Sequence, residues 1–330
     1  MRERNWFGLV GSLLTICLAS FSSCVPARAG TRWGADYFPN VSLLTHDGRK
    51  VRFYDDLLKD KIVVIDLIYT HCKDSCPLET ARLAQVQKLL GERVGRDIFF
   101  YSISIDPKAD TPEVLKAYAD KFHAGPGWTF LTGKQDDIDL ISKKLGLYSP
   151  DWGRDGHRSD LMIGNVPAGL WMRNSAVDNP KFLALTINNL LGRWYSPSTA
   201  PAKSYAEAVP IPLKGGGHYL FVTRCVACHT IGQGDHVGPD LLEVTHLRER
   251  VWLRRFIKTP ETVLDEKDPI AMALFKKFNE IQMPNLRLGD EDVDALIAYI
   301  EAETLAHKQR TSETTKKHTS KNDTGGGENN

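Results

Sequence analysis

The sequence predicts an α/β domain followed by an all-α domain. Two runs rich in β-branched and aromatic residues, Ile62–Tyr69 (IVVIDLIY) and Ile98–Ile105 (IFFYSISI), have the composition of strands covered on both faces. Helical stretches separate and follow them, and from residue 215 onward the pattern becomes wholly helical. At 330 residues and 37.0 kDa the chain has the length of two domains of ~150 residues, each able to hold a core. With 42% hydrophobic and 25% charged residues it is neither a mainly disordered chain nor a multi-span membrane protein. Its 42 basic and 41 acidic side chains give a formal charge of +1, which lacks the positive footprint of a nucleic-acid binder. The six cysteines fall in pairs at 17 and 24, 72 and 76, and 225 and 228.

In chain order, residues 1–29 read as a signal peptide or N-terminal anchor. Arg2 and Arg4 precede an apolar stretch from Trp6 to Phe21, and Ala27-Arg28-Ala29 offers small residues for cleavage. The protein is therefore expected to be exported and periplasmic, either free or membrane-anchored. Cys24 after Ser22-Ser23 loosely matches a lipoprotein cleavage site, although Phe21 stands where a small aliphatic residue is expected. Between the two core strands, Pro77–Leu90 carries Leu83, Val86 and Leu90 at helical spacing. Pro77 suits the first helical position, which places Cys76 at the N-cap. Thr111 is an N-cap ahead of Pro112 for a helix running to Phe122. The alternation implies a mainly parallel sheet. Leu161–Ile163 and Gly169–Met172 form a late hairpin. The α/β domain is assigned to 38–195. Residues 196–214, with four prolines among serines and alanines, read as a linker.

In the helical region, 215–305, Leu247–Lys258 is a helix that stops before Pro260. Val293, Leu296, Ile297 and Ile300 mark one face of a terminal helix beginning after Asp290. From His307 to Asn330 there is no aliphatic or aromatic residue, so 306–330 is expected to be a disordered tail with solvated His307 and His318. No internal repeat is evident.

The strongest chemical signal is Cys225-Val226-Ala227-Cys228-His229. Two thiols three apart can add to the vinyl groups of a haem, and the next imidazole then lies under the iron as an axial ligand. The alternative is a disulfide or zinc pair beside an accidental histidine, but zinc needs a second pair of ligands at short spacing and none follows. Together with Gly238-Pro239-Asp240-Leu241, Trp252-Leu253 and Gln282-Met283-Pro284-Asn285-Leu286 ahead of Asp292–Ile300, this resembles the class I cytochrome c domains over some 90 residues. The resemblance implies haem c, with Met283 as the second iron ligand. Met272 competes for that role, and Pro284 with the helix beyond it favours Met283.

The other site is Thr70-His71-Cys72-Lys73-Asp74-Ser75-Cys76-Pro77, at the sheet edge where α/β proteins place their chemistry. An N-cap position would favour the Cys76 thiolate through the helix dipole. Two thiolates in one loop suit soft Cu(I), whose third ligand is commonly an imidazole; they can equally form a disulfide. The spacing is one residue longer than the Cys-x-x-Cys of dithiol exchange enzymes. With Ser104-Ile105-Asp106-Pro107, Asp110-Thr111-Pro112-Glu113 and Gly156-His157 ahead of Leu161-Met162-Ile163, this segment resembles the SCO/SenC family of thioredoxin-fold copper proteins over about 38–195. That resemblance implies Cys72, Cys76 and His157 as copper ligands, whereas adjacency alone would have put His71 first.

The combined expectation is an exported copper-binding and haem-containing redox protein. The resemblance implies copper delivery to, or thiol reduction at, the dinuclear copper centre of a haem-copper oxidase, whose copper-centre subunit would be the partner. The fused haem carries one electron, which matches Cu(II)/Cu(I) cycling better than two-electron disulfide reduction, so the chain is expected to be a metallochaperone and electron-transfer protein rather than a turnover enzyme. Two rivals stand beside it: a thiol-disulfide oxidoreductase using Cys72 and Cys76, and a plain electron-transfer cytochrome.

Overall fold

The computed structural model describes residues 33–72, 75–148, 159–190 and 216–322, with side chains to 312. The 1–29 segment, the 196–214 linker, His157 and residues 323–330 lie outside the described residues. Among the described residues no helix is long and apolar enough to cross a membrane.

The first domain opens with a hairpin, β1 (Ser42–Thr45) and β2 (Lys50–Arg52), and a π-helical turn, Phe53–Leu58. There follow β3 (Ile62–Ile68), α1 (Cys76–Leu90), β4 (Ile98–Ser104), α2 (Pro112–Lys121), β5 (Trp128–Gly133) and α3 (Gln135–Leu145). The domain closes with β6 (Asp160–Asn165), β7 (Leu170–Ser175) and α4 (Pro180–Leu190). The sheet order is β2-β1-β5-β4-β3-β6-β7. Pairing is parallel from β3 to β4 and β4 to β5 and antiparallel in the other four contacts, so the expected mainly parallel sheet is a mixed one. The reason is local: tight hairpins flank the βαβ core at both ends of the sequence, and a hairpin can only pair antiparallel. A βαβ unit followed by a ββα unit, with β3 and β6 adjacent and antiparallel, is the thioredoxin-like arrangement.

Every residue of β3 is buried. Ile62, Val64 and Ile68 pack with α1, α2 and α4, while Val63, Ile65 and Leu67 pack on the opposite face with the π-helical turn and α3. Thr111 caps α2 by accepting from the Val114 N–H at 3.4 Å, as the sequence indicates.

The second domain consists of α5 (Gly216–Leu220), a π-helical turn Phe221–Cys225, α6 (Val244–Leu247), α7 (Arg250–Lys258), α8 (Pro260–Asp265), α9 (Pro269–Lys277) and α10 (Asp290–Asn322). Phe221, Leu253, Ile257, Leu288, Val293, Leu296, Ile297 and Ile300 form its core. Gly217 lets α5 cross α10, because a Cβ there would sit 2.0 Å from the Ala295 carbonyl oxygen.

The boundary expected at 306 does not hold, since α10 continues through it to Asn322. The segment contains no glycine or proline before residue 325, so nothing local stops the helix, and neighbouring loops hold its middle. Thr304 is buried and its hydroxyl accepts from the Glu243 N–H at 3.4 Å. Lys308 pairs with Glu243 at 2.7 Å, and the His307 ring lies against Gly232. His307 is thus half-buried rather than fully solvated.

The two domains share apolar contacts. Ala227 and Val237 of the helical domain are buried in the cluster that holds α1, α2 and α4, and Cys228, Ile281 and Leu286 pack against that cluster.

Candidate functional sites

The first site sits where β3 ends and α1 begins. Tyr69, Cys72 and Cys76 form a small buried cluster capped by Ile105, and the two cysteine side chains are in contact. The helix starts at Cys76 itself with Ser75 as cap, one residue earlier than the sequence suggests. Proximity to the helix start does not acidify the thiol: burial pushes it well above its ordinary value, with contact from Cys72 and the charge of Glu79 adding to the effect. The expected dipole-favoured thiolate is therefore not what this site provides without a cation to pair with.

The loop is held from below by Asp110, whose side chain is fully buried. Its carboxylate accepts from the Thr70 hydroxyl at 2.6 Å, the Thr70 N–H at 3.2 Å and the Ser104 hydroxyl at 2.5 Å. Ser104 Oγ in turn accepts the Asp106 N–H at 3.0 Å. These bonds tie the Ser-Ile-Asp-Pro and Asp-Thr-Pro-Glu segments to the residues just before Cys72. The sequence marked Asp110 only as part of a motif; its buried position explains the role.

His71, the neighbour by sequence, is 70% exposed, and its Nδ1 lies 3.2 Å from Thr70 Oγ1 and 3.9 Å from Asp110. Among the described residues no three His, Cys, Asp or Glu side chains gather into a metal site. Cys72 and Cys76 fit a soft monovalent ion as a thiolate pair, and the expected third ligand, His157, lies outside the described residues.

Cys72 opens into a cleft of about 390 Å³. One wall is Val114, Tyr118 and Lys121; the other is Phe275, Ile281 and Gln282 of the second domain. The cleft floor includes Pro77, which also lines a cavity bounded by Cys228 and His229.

The second site is built round His229. Its Nδ1 is 2.9 Å from the Pro239 carbonyl, and since a carbonyl can only accept, Nδ1 carries the proton and the Nε2 lone pair is left for a metal. Burial lowers the pKa of this imidazole, which favours the neutral, ligating form. Gly238 is needed beneath the ring, since a Cβ would come within 2.7 Å of His229 Cε1. Asp240 fastens the following loop, accepting from the N–H groups of Gly232 and Leu242 at 2.8 Å and Gly234 at 2.6 Å.

Two mostly apolar cavities, of about 80 and 280 Å³, share His229, Pro239, Phe256, Leu274 and Met283 as lining. Trp252, Leu253, Leu286, Leu296 and Ile300 line the larger one. Met272 lines neither. Cys225 borders one cavity and Cys228 the other, and burial pushes both thiols up to about 12. An imidazole with a free Nε2, a thioether on the same cavities and two thiols at the rim fit a covalently held haem. Cys225, Cys228, His229 and Met283 are thus brought together, and Cys72 with Cys76 likewise.

Two contributors were missed by the sequence reading. Arg82 of α1 is 1% exposed and donates to the carbonyls of Thr223 and Val222, in the turn that leads into Cys225. Gln85, one turn on, donates to the Val226 carbonyl at 2.9 Å. Both residues have helical spacing but no local signal of their purpose, since their partners are about 140 residues away.

The fold and the two sites define a thioredoxin-like domain with a paired-thiol loop, joined to a c-type cytochrome domain. Residues 30–162 match the SCO1/SenC family model and residues 216–303 the cytochrome c family model, so the chain carries a SCO1/SenC domain fused to a cytochrome c domain. It is 32% identical over 111 residues to a SCO2-like protein of Rickettsia prowazekii, covering 34% of this chain and 53% of that protein. The chain spans about half the length, or less, of the curated relatives it matches. Among solved structures it is similar to a SCO1/SenC family lipoprotein from Bacillus anthracis, with 28% identity, 50% of this chain and 98% of that one covered, and a TM-score of 0.42. It is also similar to Arabidopsis thaliana ScoI with copper bound, at 23% identity, 47% and 98% coverage and a TM-score of 0.40.

Proposed function

We propose that the protein is an exported copper-binding redox protein that assists assembly of the dinuclear copper centre of a haem-copper oxidase, by copper delivery, thiol reduction or both. The observation that carries this reading is the pairing of Cys72 and Cys76 in one buried loop of a SCO1/SenC domain, beside a cytochrome c domain in the same chain. Cys72, Cys76 and His157 are the proposed copper ligands. Two thiolates and an imidazole satisfy Cu(I) in low coordination number, and the low dielectric around Cys76 favours pairing the thiolates with a cation over leaving them charged and alone.

Cys225 and Cys228 are proposed to hold haem c through thioether bonds, with His229 and Met283 as axial ligands. The bound haem supplies a single-electron store. The chain's own contribution is to orient His229 through Pro239, line the slot with the apolar Trp252, Phe256 and Leu286, and present Met283 to the same cavities as His229. The 1–29 segment is proposed to direct export to the periplasm.

A second reading, a thiol-disulfide oxidoreductase, draws on the direct contact between the two buried thiols. Metal and haem analysis of the purified full chain separates the two. One copper and one covalent haem per chain are expected, with copper lost in Cys72→Ser and haem retained. Copper content indifferent to Cys72 and Cys76, alongside turnover of a protein disulfide, would transfer the assignment to the second reading.

A further inference from the structure

Arg82 belongs to the SCO1/SenC domain, yet among the described residues its hydrogen-bond partners belong to the cytochrome domain. Its guanidinium is buried, donating to the carbonyls of Val222 and Thr223 in the turn that leads into Cys225. Nε and Nη1 have no hydrogen-bond partner among the described residues. The group lies close to Cys228 and Cys225, and the nearby Arg224 is exposed and of like sign. Among the described residues this buried cation has carbonyl acceptors and no carboxylate paired with it, an arrangement that is costly.

Other contacts make the arrangement specific. Gln85 donates to the Val226 carbonyl, Ala227 is fully buried in the cluster formed by α1, and Pro77 shares a cavity wall with Cys228 and His229. The haem-attachment turn is therefore seated along one face of α1, from its first turn to Gln85.

We infer that Arg82 is a positioning residue for the haem of the neighbouring domain: it pins the Val222–Cys228 turn onto α1 and fixes a positive charge beside the attachment cysteines. This rests on the proposal above that Cys225 and Cys228 carry haem. A fixed positive charge near the iron opposes the extra positive charge of the ferric state, so it raises the reduction potential. The SCO1/SenC domain thereby tunes the cytochrome to which it is fused.

The test uses the full-length haem protein and its Arg82→Met and Arg82→Lys variants, read by backbone hydrogen exchange and by potentiometric titration of the haem. Loss of charge-assisted hydrogen bonds should speed exchange across 222–228 by about tenfold or more in Arg82→Met. The midpoint potential of that variant should fall. Arg82→Lys keeps the charge without the fork, so it should retain most of the potential while exchange stays fast. Unchanged exchange and potential in Arg82→Met would overturn the inference, as would a potential in Arg82→Lys as low as in Arg82→Met. If Arg82→Met does not fold, Gln85→Ala reports the pinning and Arg82→Lys the charge: normal exchange in Gln85→Ala, or a potential in Arg82→Lys well below wild type, would overturn it. A wild-type protein without covalent haem would instead sink the haem assignment on which the inference rests.

Discussion

Asp110 illustrates how single residues set the geometry here. Its carboxylate accepts from two groups of Thr70 and one of Ser104, all away from water, so an alanine would leave these donors unsatisfied beneath Cys72. Asp110→Ala is expected to destabilise the protein by about 3 kcal/mol in chemical denaturation and to weaken copper binding, because the loop preceding Cys72 loses its anchor. Unchanged stability would show that the network is dispensable. Met283 has the opposite character, with packing any apolar residue could supply and chemistry few could. Met283→Ala should keep haem covalently attached through Cys225 and Cys228 while the visible spectrum shifts to high spin or gains carbon monoxide binding. A spectrum identical to wild type would move the ligand assignment to Met272 or a histidine.

At the level of elements, α5 and α10 depend on a close approach that only glycine permits. The Cβ of Gly217→Ala would lie 2.0 Å from the Ala295 carbonyl oxygen and 2.9 Å from Tyr299 Cβ, and the Ala295 atoms are backbone, which cannot swing away. The helices must separate, at a cost of about 1 to 3 kcal/mol for such overpacking. Thermal unfolding followed in the haem band should show a lower midpoint for Gly217→Ala, while the copper stoichiometry at Cys72 and Cys76 stays at its wild-type value. A wild-type midpoint would mean that the crossing is looser than the contact implies. Extension of α10 beyond residue 306 follows the same logic: a segment without apolar residues remains helical where Thr304 and Lys308 are bound to Glu243. Helix propensity supplies the conformation, and tertiary contacts hold it.

Over the whole molecule, the join between domains carries its own pH response. His236 of the cytochrome domain stacks on His123 of the SCO1/SenC domain with centroids 6.0 Å apart, and Lys88 and Glu92 line the same pocket. His236 is exposed overall, but partial removal of its ring from water, then the charges of His123 and Lys88, lower its pKa below the ordinary 6.5. A group whose folded pKa is depressed contributes stability that is full above the unfolded pKa and is lost as pH falls through the folded one. The domain contact should accordingly weaken below about pH 6.5, and His236→Gln should flatten that dependence. Hydrogen exchange at residues 122–127 and 235–238, measured across this pH range in both proteins, checks it; parallel pH profiles would remove His236 from the explanation.

The two domains, the paired thiols and the haem motif were legible because each is carried by local spacing: apolar runs for strands, Cys-x-x-x-Cys before a proline, and Cys-x-x-Cys-His. Nearby residues constrain one another through the chain itself, so their arrangement needs little help from the fold. The mixed sheet, the raised Cys76 thiol, the half-buried His307 and the roles of Asp110 and Arg82 depended on what lies across space. Burial sets whether a thiol is favoured as thiolate, and it removes the water that would otherwise serve the donors around Asp110. Arg82 is the clearest case. A helical arginine ordinarily reads as solvated surface, and only the seating of a turn some 140 residues away makes it the buried link between the two domains.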